Sequence, residues 1–364
     1  MSSKTTVKVA LDWTPNTIHS GLFCALEKGL YSDQGLDVQL LPPNEDYTTT
    51  PAKRVQNGEV DLAVCPSESV IAYNETGRMK LQAIYAILQR DVSAITSTKV
   101  RDLAKLDSGT YGSYNAKYED EIVKAMVTAA GGKGDGMQIK NSTGKFSLFD
   151  EVKKGALDAT WVFMPWEGVE AELEGVELHA FRPEDHGVPY GYSPVIARNA
   201  ASSLDSDALR RFVKATAKGY EYAMKDSKDA AGILAPHCRP EKFATFLNSS
   251  QERINEFYLD EENSAGPGRM REAKWTSWTS WLRQRGLLGV ELPTTDLFTN
   301  EFFDIPFVNL PEQSGPSYHS LPSSSREPED VRQALPTLAV ACSDESFKCI
   351  EERTTTSNPE TRPL

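Results

Sequence analysis

The sequence has no apolar run approaching the ~20 residues that a membrane-spanning helix needs, so a helical membrane anchor is not expected. It has no surplus of positive charge: 39 Lys and Arg stand against 52 Asp and Glu, a net charge of -13. That balance argues against a polyanionic partner such as nucleic acid, whose phosphates need a basic surface. A single anionic small molecule is not excluded, because a few local donors suffice to hold one. The five cysteines, Cys24, Cys65, Cys238, Cys342 and Cys349, are scattered and form no CxxC pair. Neither a disulfide framework nor a zinc site is therefore expected, and no metal is assigned. The five histidines are far apart and make no HExxH or Ser/His/Asp pattern. No GxxxxGK[ST] phosphate loop is present, and no catalytic residue is assigned. The opening residues, MSSKTTVKVALDW, lack a secretory h-region, from which a cytosolic, reducing home is expected.

What is present is ordinary globular material, 39% hydrophobic and 25% charged, in 364 residues, enough for two domains. Alternating runs predict strands through Lys8 to Leu11, Leu36 to Leu40, Val60 to Val64 and Leu81 to Leu88. Helices are expected between them, over Asn16 to Gly29, Thr50 to Gln56 and Ser67 to Glu75. Strand–helix repetition of this kind argues for a parallel α/β sheet. The pattern restarts with a strand at Gly109 to Ser113, a helix at Tyr118 to Ala130 and a strong strand at Ala159 to Phe163, which suggests a second lobe. Beyond Val195 the chain turns helical. Trp275, Trp278 and Trp281 recur at helical spacing there, which reads as core rather than as a ligand platform. Residues 311–364 are rich in Ser, Pro, Thr and Glu and read as a disordered tail with one apolar island, Leu335 to Cys342.

One motif is more specific. Leu11-Asp12-Trp13-Thr14-Pro15-Asn16-Thr17, with His19, Gly21 and Leu22, is followed by Ala25 to Tyr31 and Gly35 to Val38. These residues, with Asn57 to Ala63, Gly112 to Glu119 and Trp161 to Glu167, resemble the family that unites fungal thiamine-pyrimidine synthases with formylaminopyrimidine-binding proteins of bacterial importers. The resemblance implies a type II periplasmic-binding-protein-like α/β fold: two lobes with a ligand cleft between them and two chain crossings, placed near Thr96 and Val195. Residues 1–96 and 195–310 would form one discontinuous lobe and residues 97–194 the other. A small-molecule ligand is implied, and a homodimer is left open.

Candidate cleft residues follow from position and motif together. Trp13 stands just after the first strand, where its indole can stack on a flat ring while Asn16 and His19 offer hydrogen bonds; inter-lobe packing and a helix cap are the plain alternatives. Cys65 would have a lowered pKa at a helix start, Ser67 would cap that helix, and Glu68 would accept from a ligand amine or simply favour the first turn. Trp166 and Glu167 suit an aminopyrimidine as stacking face and acceptor, and Tyr190 and Tyr192 would close over it; hinge packing is the alternative. The turn carrying Ser113, Asn115, Ala116 and Lys117 offers helix-start amides for a phosphate, with Tyr114 beside it as a ligand contact, or is an ordinary capped turn. In the resembling synthases the matching loop binds the phosphate of a pyridoxal cofactor. Their cofactor lysine and consumed histidine correspond here to Cys65 and Ser69, neither of which can replace them.

Overall fold

A computed structural model describes residues 4–44, 49–141, 148–239, 241–260 and 266–303. The expected tail and its apolar island lie outside the described residues. Among the described residues, ten strands form two five-stranded sheets. In chain order they are β1 (Thr5–Ala10), β2 (Leu36–Leu41), β3 (Leu62–Cys65), β4 (Leu81–Ala86), β5 (Ser93–Ser97), β6 (Thr110–Ser113), β7 (Gln138–Asn141), β8 (Ala159–Phe163), β9 (His179–Phe181) and β10 (Val195–Asn199). The first sheet runs β2-β1-β3-β10-β4 and the second β7-β6-β8-β5-β9.

The sheets are mixed rather than wholly parallel. In the first, β1 pairs parallel with β2 and β3, whereas β10 is antiparallel to both β3 and β4. In the second, β6 pairs parallel with β7 and β8, whereas β5 is antiparallel to β8 and β9. The antiparallel strand is in each case the first one laid down after the chain changes sheet. It enters from the end where the parallel strands finish, so it must run against them. The first passage occupies residues 87–92, ahead of the point expected near Thr96, because Ser93–Ser97 already pairs within the second sheet. The return occupies residues 182–194, and the two passages are tied where Ile87 N–H donates to the Pro194 carbonyl at 3.0 Å.

Helices after β10 complete the first sheet's core. Ser206–Lys225 buries Leu209, Phe212, Val213 and Tyr220 along one stripe, as its 3.6-residue spacing dictates. It lies against Ser20–Glu27 at Gly21 and Gly219; a Cβ at Gly219 would stand 2.1 Å from the Gly21 carbonyl oxygen. Only glycine permits that approach. Helix Glu272–Gln284 buries Trp275, Trp278 and Trp281, and Trp275 stacks on Phe298 with centroids 5.8 Å apart, so this stripe is core. Among the described residues, no helix is long and apolar enough to cross a membrane.

Candidate functional site

The carboxyl ends of β1, β3, β6 and β8 and the return passage surround a cavity of about 550 Å³, within the range of small-molecule sites. The wall after β1 is built by local hydrogen bonding. Asn16 caps the turn Thr17–His19: its Oδ1 accepts from Ile18 N–H at 2.9 Å, while its own N–H donates to His19 Nδ1 at 3.3 Å. With Nδ1 accepting, the ring proton sits on Nε2 and donates to Asp12 Oδ1 at 2.8 Å. Asp12, Trp13 and Asn16 line the cavity, whereas His19 is fully buried behind them. The expected ligand hydrogen bond from His19 is thereby corrected: the ring orients Asp12 instead. Asp12 itself escaped the sequence reading, although it stands beside Trp13 at the end of the strand.

The wall after β3 holds Cys65 and Glu68. Burial pushes the Cys65 thiol up, with Asp12 and Glu68 adding to the shift, the reverse of the expected lowering. Ser67 is the first residue of its helix, whose cap position is Pro66, so it does not cap. Its hydroxyl instead donates to Glu68 Oε2 at 3.3 Å, and Ser67 itself is fully buried. Burial raises Glu68 from 4.5 to about 7, although the hydroxyls of Tyr190 and Ser67 hydrogen-bond it and pull the other way. Tyr190 lines the cavity and packs on Trp161 with centroids 5.3 Å apart. Tyr192 does not line it: buried, its hydroxyl accepts from Arg271 N–H at 2.9 Å, so it braces the return passage rather than covering a ligand.

After β8 the chain makes a wide π-turn, Met164–Gly168, that carries Trp166 and Glu167 into the lining. Glu167 Oε2 accepts from Phe163 N–H at 3.0 Å, and burial raises its carboxyl from 4.5 to about 7. Trp166 meets Phe246 edge-on at 4.7 Å, and the Lys242 ammonium lies 5.7 Å from its centroid. Trp161, Phe163 and Tyr73 add aromatic surface that the sequence reading did not assign to the cleft. For Trp161 and Phe163 the signal was available, since alternate residues of a strand share a face.

The turn after β6 is arranged differently from expectation. Tyr114, Asn115, Ala116 and Lys117 line the cavity, but the amides are already engaged. Tyr114 N–H donates to Glu119 Oε1 and Ala116 N–H to Glu119 Oε2, each at 3.0 Å. Asn115 N–H donates to Ser113 Oγ, whose own hydroxyl donates to Asp120 at 2.7 Å. Lys117 Nζ reaches Glu75 at 2.5 Å. The expected phosphate cradle is therefore filled by the protein's own carboxylate. Pyridoxal phosphate does not fit these residues: Lys117 is the only lysine among the described lining residues, it is ion-paired, and the phosphate donors are taken. Groups of three or more metal-ligating side chains are also absent among the described residues.

Comparison with known proteins places this geometry. The chain is 27% identical to the formylaminopyrimidine-binding protein of Halalkalibacterium halodurans, over 81% of this chain and 90% of that one. It is 22% identical to a putative thiamine biosynthesis protein of Haemophilus influenzae, over 79% and 89%. It is also 22% identical to the riboflavin-binding protein RibY of Chloroflexus aurantiacus, over 81% and 85%. Among solved structures, the ligand-binding component of an ABC-type import system from Staphylococcus aureus aligns with TM-score 0.63 at 14% identity, covering 82% of this chain and 98% of that one. The periplasmic nitrate-binding protein NrtA of Synechocystis aligns with TM-score 0.63 at 14% identity, covering 82% and 87%. The alkanesulfonate-binding protein SsuA of Xanthomonas axonopodis aligns with TM-score 0.62 at 10% identity, covering 82% and 100%. These neighbours establish the periplasmic-binding-protein fold. They also correct the expectation of a cytosolic home, because one neighbour is the ligand-binding component of an import system and another is described as periplasmic; the first residues of the sequence do not decide the compartment. Residues 16–230, more than half of the chain, match the family described as NMT1/THI5 like, and the chain belongs to that NMT1/THI5-like family.

Proposed function

We propose that this chain is a capture protein whose cleft takes up an aminopyrimidine or a closely related flat, amine-bearing ring, and delivers it to an importer. The observation that carries the reading is the pairing of aromatic walls with two carboxyl groups, Glu68 and Glu167, both raised to about 7. An aminopyrimidine presents a ring nitrogen beside an exocyclic amine. A carboxyl group meets that edge with two hydrogen bonds, in either of two ways. It can donate to the ring nitrogen when protonated, or accept from a protonated ring when ionised. A group titrating near neutrality reaches both forms at little cost. Trp13, Trp161 and Tyr190 supply the flat apolar surface for the ring faces.

The names of the relatives favour the same class. Two are named for flat nitrogen heterocycles, whereas two of the structural neighbours are named for nitrate and alkanesulfonate, which are anions. A cleft lined by carboxylates suits the first group and repels the second. A synthase-type reaction is not part of this reading, since Cys65 and Ser69 supply neither an amine nor an imidazole.

Thermal unfolding with a panel of 4-aminopyrimidines, thiamine, riboflavin, nitrate and an alkanesulfonate tests it. At 100 Kd a ligand stabilises the native state by about 2.7 kcal/mol, a shift of several degrees. The expected outcome is a shift with the aminopyrimidines and none with the anions. Stabilisation by nitrate or sulfonate alone would overturn the proposal.

A further inference from the structure

The turn between β6 and the helix Glu119–Ala129 has the shape of an anion cradle. Asn115 and Tyr118 are held at φ 61° and 75°, the left-handed region that residues other than glycine rarely occupy. That curl turns the amides of Tyr114 and Ala116 towards one point, and the Tyr111 hydroxyl joins them. At that point lies the Glu119 carboxylate. Oε1 accepts from the Tyr111 hydroxyl at 2.8 Å and from Tyr114 N–H at 3.0 Å, and Oε2 accepts from Ala116 N–H at 3.0 Å. Glu119 is only 5% exposed, yet it belongs to the cavity wall.

Charge reinforces the geometry. Among the described lining residues, Asp12, Glu68, Glu119 and Glu167 carry carboxyl groups, and the single cation, Lys117, is ion-paired with Glu75. An anionic group on a ligand would find its natural donors occupied and further acidic groups around it.

We propose that Glu119 is a specificity-determining residue: its carboxylate stands in the place of a ligand phosphate, so the cleft accepts uncharged or cationic rings and rejects their phosphorylated forms. This rests on the reading of the cleft as a ring-binding site. The ordinary alternative is that Glu119 only tethers the start of its helix, and the two differ in what its removal creates. A tether, once removed, leaves a weaker loop. A stand-in for phosphate, once removed, leaves an anion site.

The test uses the wild-type chain, Glu119→Ala and Glu119→Ser, the serine being a good residue for a helix start. Each is titrated with inorganic phosphate at constant ionic strength and followed by thermal unfolding. Each is also titrated calorimetrically with 4-amino-5-hydroxymethylpyrimidine and with its phosphate monoester. The wild type is expected to show no saturable phosphate response and to prefer the alcohol by about 100-fold, the size of a like-charge encounter in a partly screened site. Glu119→Ala or Glu119→Ser is expected to gain saturable stabilisation by phosphate, and to narrow the alcohol preference by about 10-fold or more. A saturable phosphate response in the wild type, or a folded variant that gains none, would overturn the assignment. If both variants fail to fold, Glu119→Gln, which keeps the side chain's length and removes its charge, takes their place: a narrowed alcohol preference supports the assignment, and an unchanged preference, or phosphate binding by the wild type, overturns it. If neither pyrimidine binds, the ring-binding reading fails, while the phosphate titrations still judge Glu119.

Discussion

Two strand-to-helix turns face each other across the cleft, and each places a glutamate in the first helical turn. After β3 the glutamate is Glu68; after β6 it is Glu119. In sequence they are the same signal, an acidic side chain that favours the positive end of a helix. In the folded chain burial raises both carboxyls, but they meet different partners. Glu68 is held by the hydroxyls of Tyr190 and Ser67, one from the return passage and one from its own helix, and burial raises its carboxyl to about 7. Glu119 folds back on the two amides and the phenol of its own lobe and closes a cradle. A first-turn glutamate therefore has no intrinsic role: the donors around it decide whether its oxygens meet side-chain hydroxyls or the backbone.

The strongest way to break this comparison is to truncate each glutamate and measure binding of an unphosphorylated aminopyrimidine by calorimetry. Glu68→Ala should weaken it by roughly 10- to 150-fold, the loss of a charge-assisted hydrogen bond of about 1.5–3 kcal/mol. Glu119→Ala should change the same affinity by less than about 5-fold, because its bonds are internal and the net worth of such a bond is near 1 kcal/mol. Equal losses from both would erase the distinction.

A second measurement concerns pH and the unliganded protein. Below pH 4.5 both folded and unfolded chains hold the Glu68 and Glu167 protons, and the raised pKa values cost nothing. Above it the unfolded chain releases them, while the folded chain retains them to about 7. The folded state thus binds more protons, and its stability falls as pH rises through that window. Asp91, raised from 3.8 to about 6 by burial, acts in the same direction. Lys274, lowered from 10.5 to about 8, acts above this range and in the opposite sense. The melting temperature should therefore decline from pH 5 to pH 7, and Glu68→Gln should flatten part of the slope. A flat profile in the wild type would contradict the burial of these carboxyl groups.

A smaller effect than that of Glu68→Ala is expected from Tyr190→Phe. It removes one hydroxyl from Glu68 and keeps the ring that packs on Trp161 and Trp278. Affinity for the aminopyrimidine should fall by about 2- to 12-fold, the range of a neutral hydrogen bond. The Glu68 carboxyl should titrate higher, because a donor to its charged form is lost. Infrared or NMR titration of the carboxyl reads that shift directly.

Much of the scaffold was legible in local pattern. The strand Ala159–Phe163 and the helix Ser67–Glu75 appear with the bounds that alternation and spacing implied, and the tryptophan stripe is core. The mixed character of the sheets was not legible, because the direction of β5 and β10 depends on where the chain re-enters each sheet rather than on residue type. In the cleft, Trp13, Glu68, Trp166 and Glu167 stand at strand ends, a position that sequence can locate. The roles of His19, Ser67 and Tyr192 were misread because burial behind another side chain leaves no mark on a polar residue's own sequence context.

Local pattern in the chain dictates which segments become strands and helices, and that aromatic and acidic side chains gather at strand ends. It does so because periodicity and caps are short-range and act whatever surrounds them. Which carboxyl groups face the cavity, that the Cys65 thiol is pushed up rather than down, and that Glu119 fills the cradle after β6 emerge from packing between distant segments. Those outcomes depend on desolvation and on donors brought from distant segments, such as Tyr190 to Glu68, and no local pattern encodes such encounters.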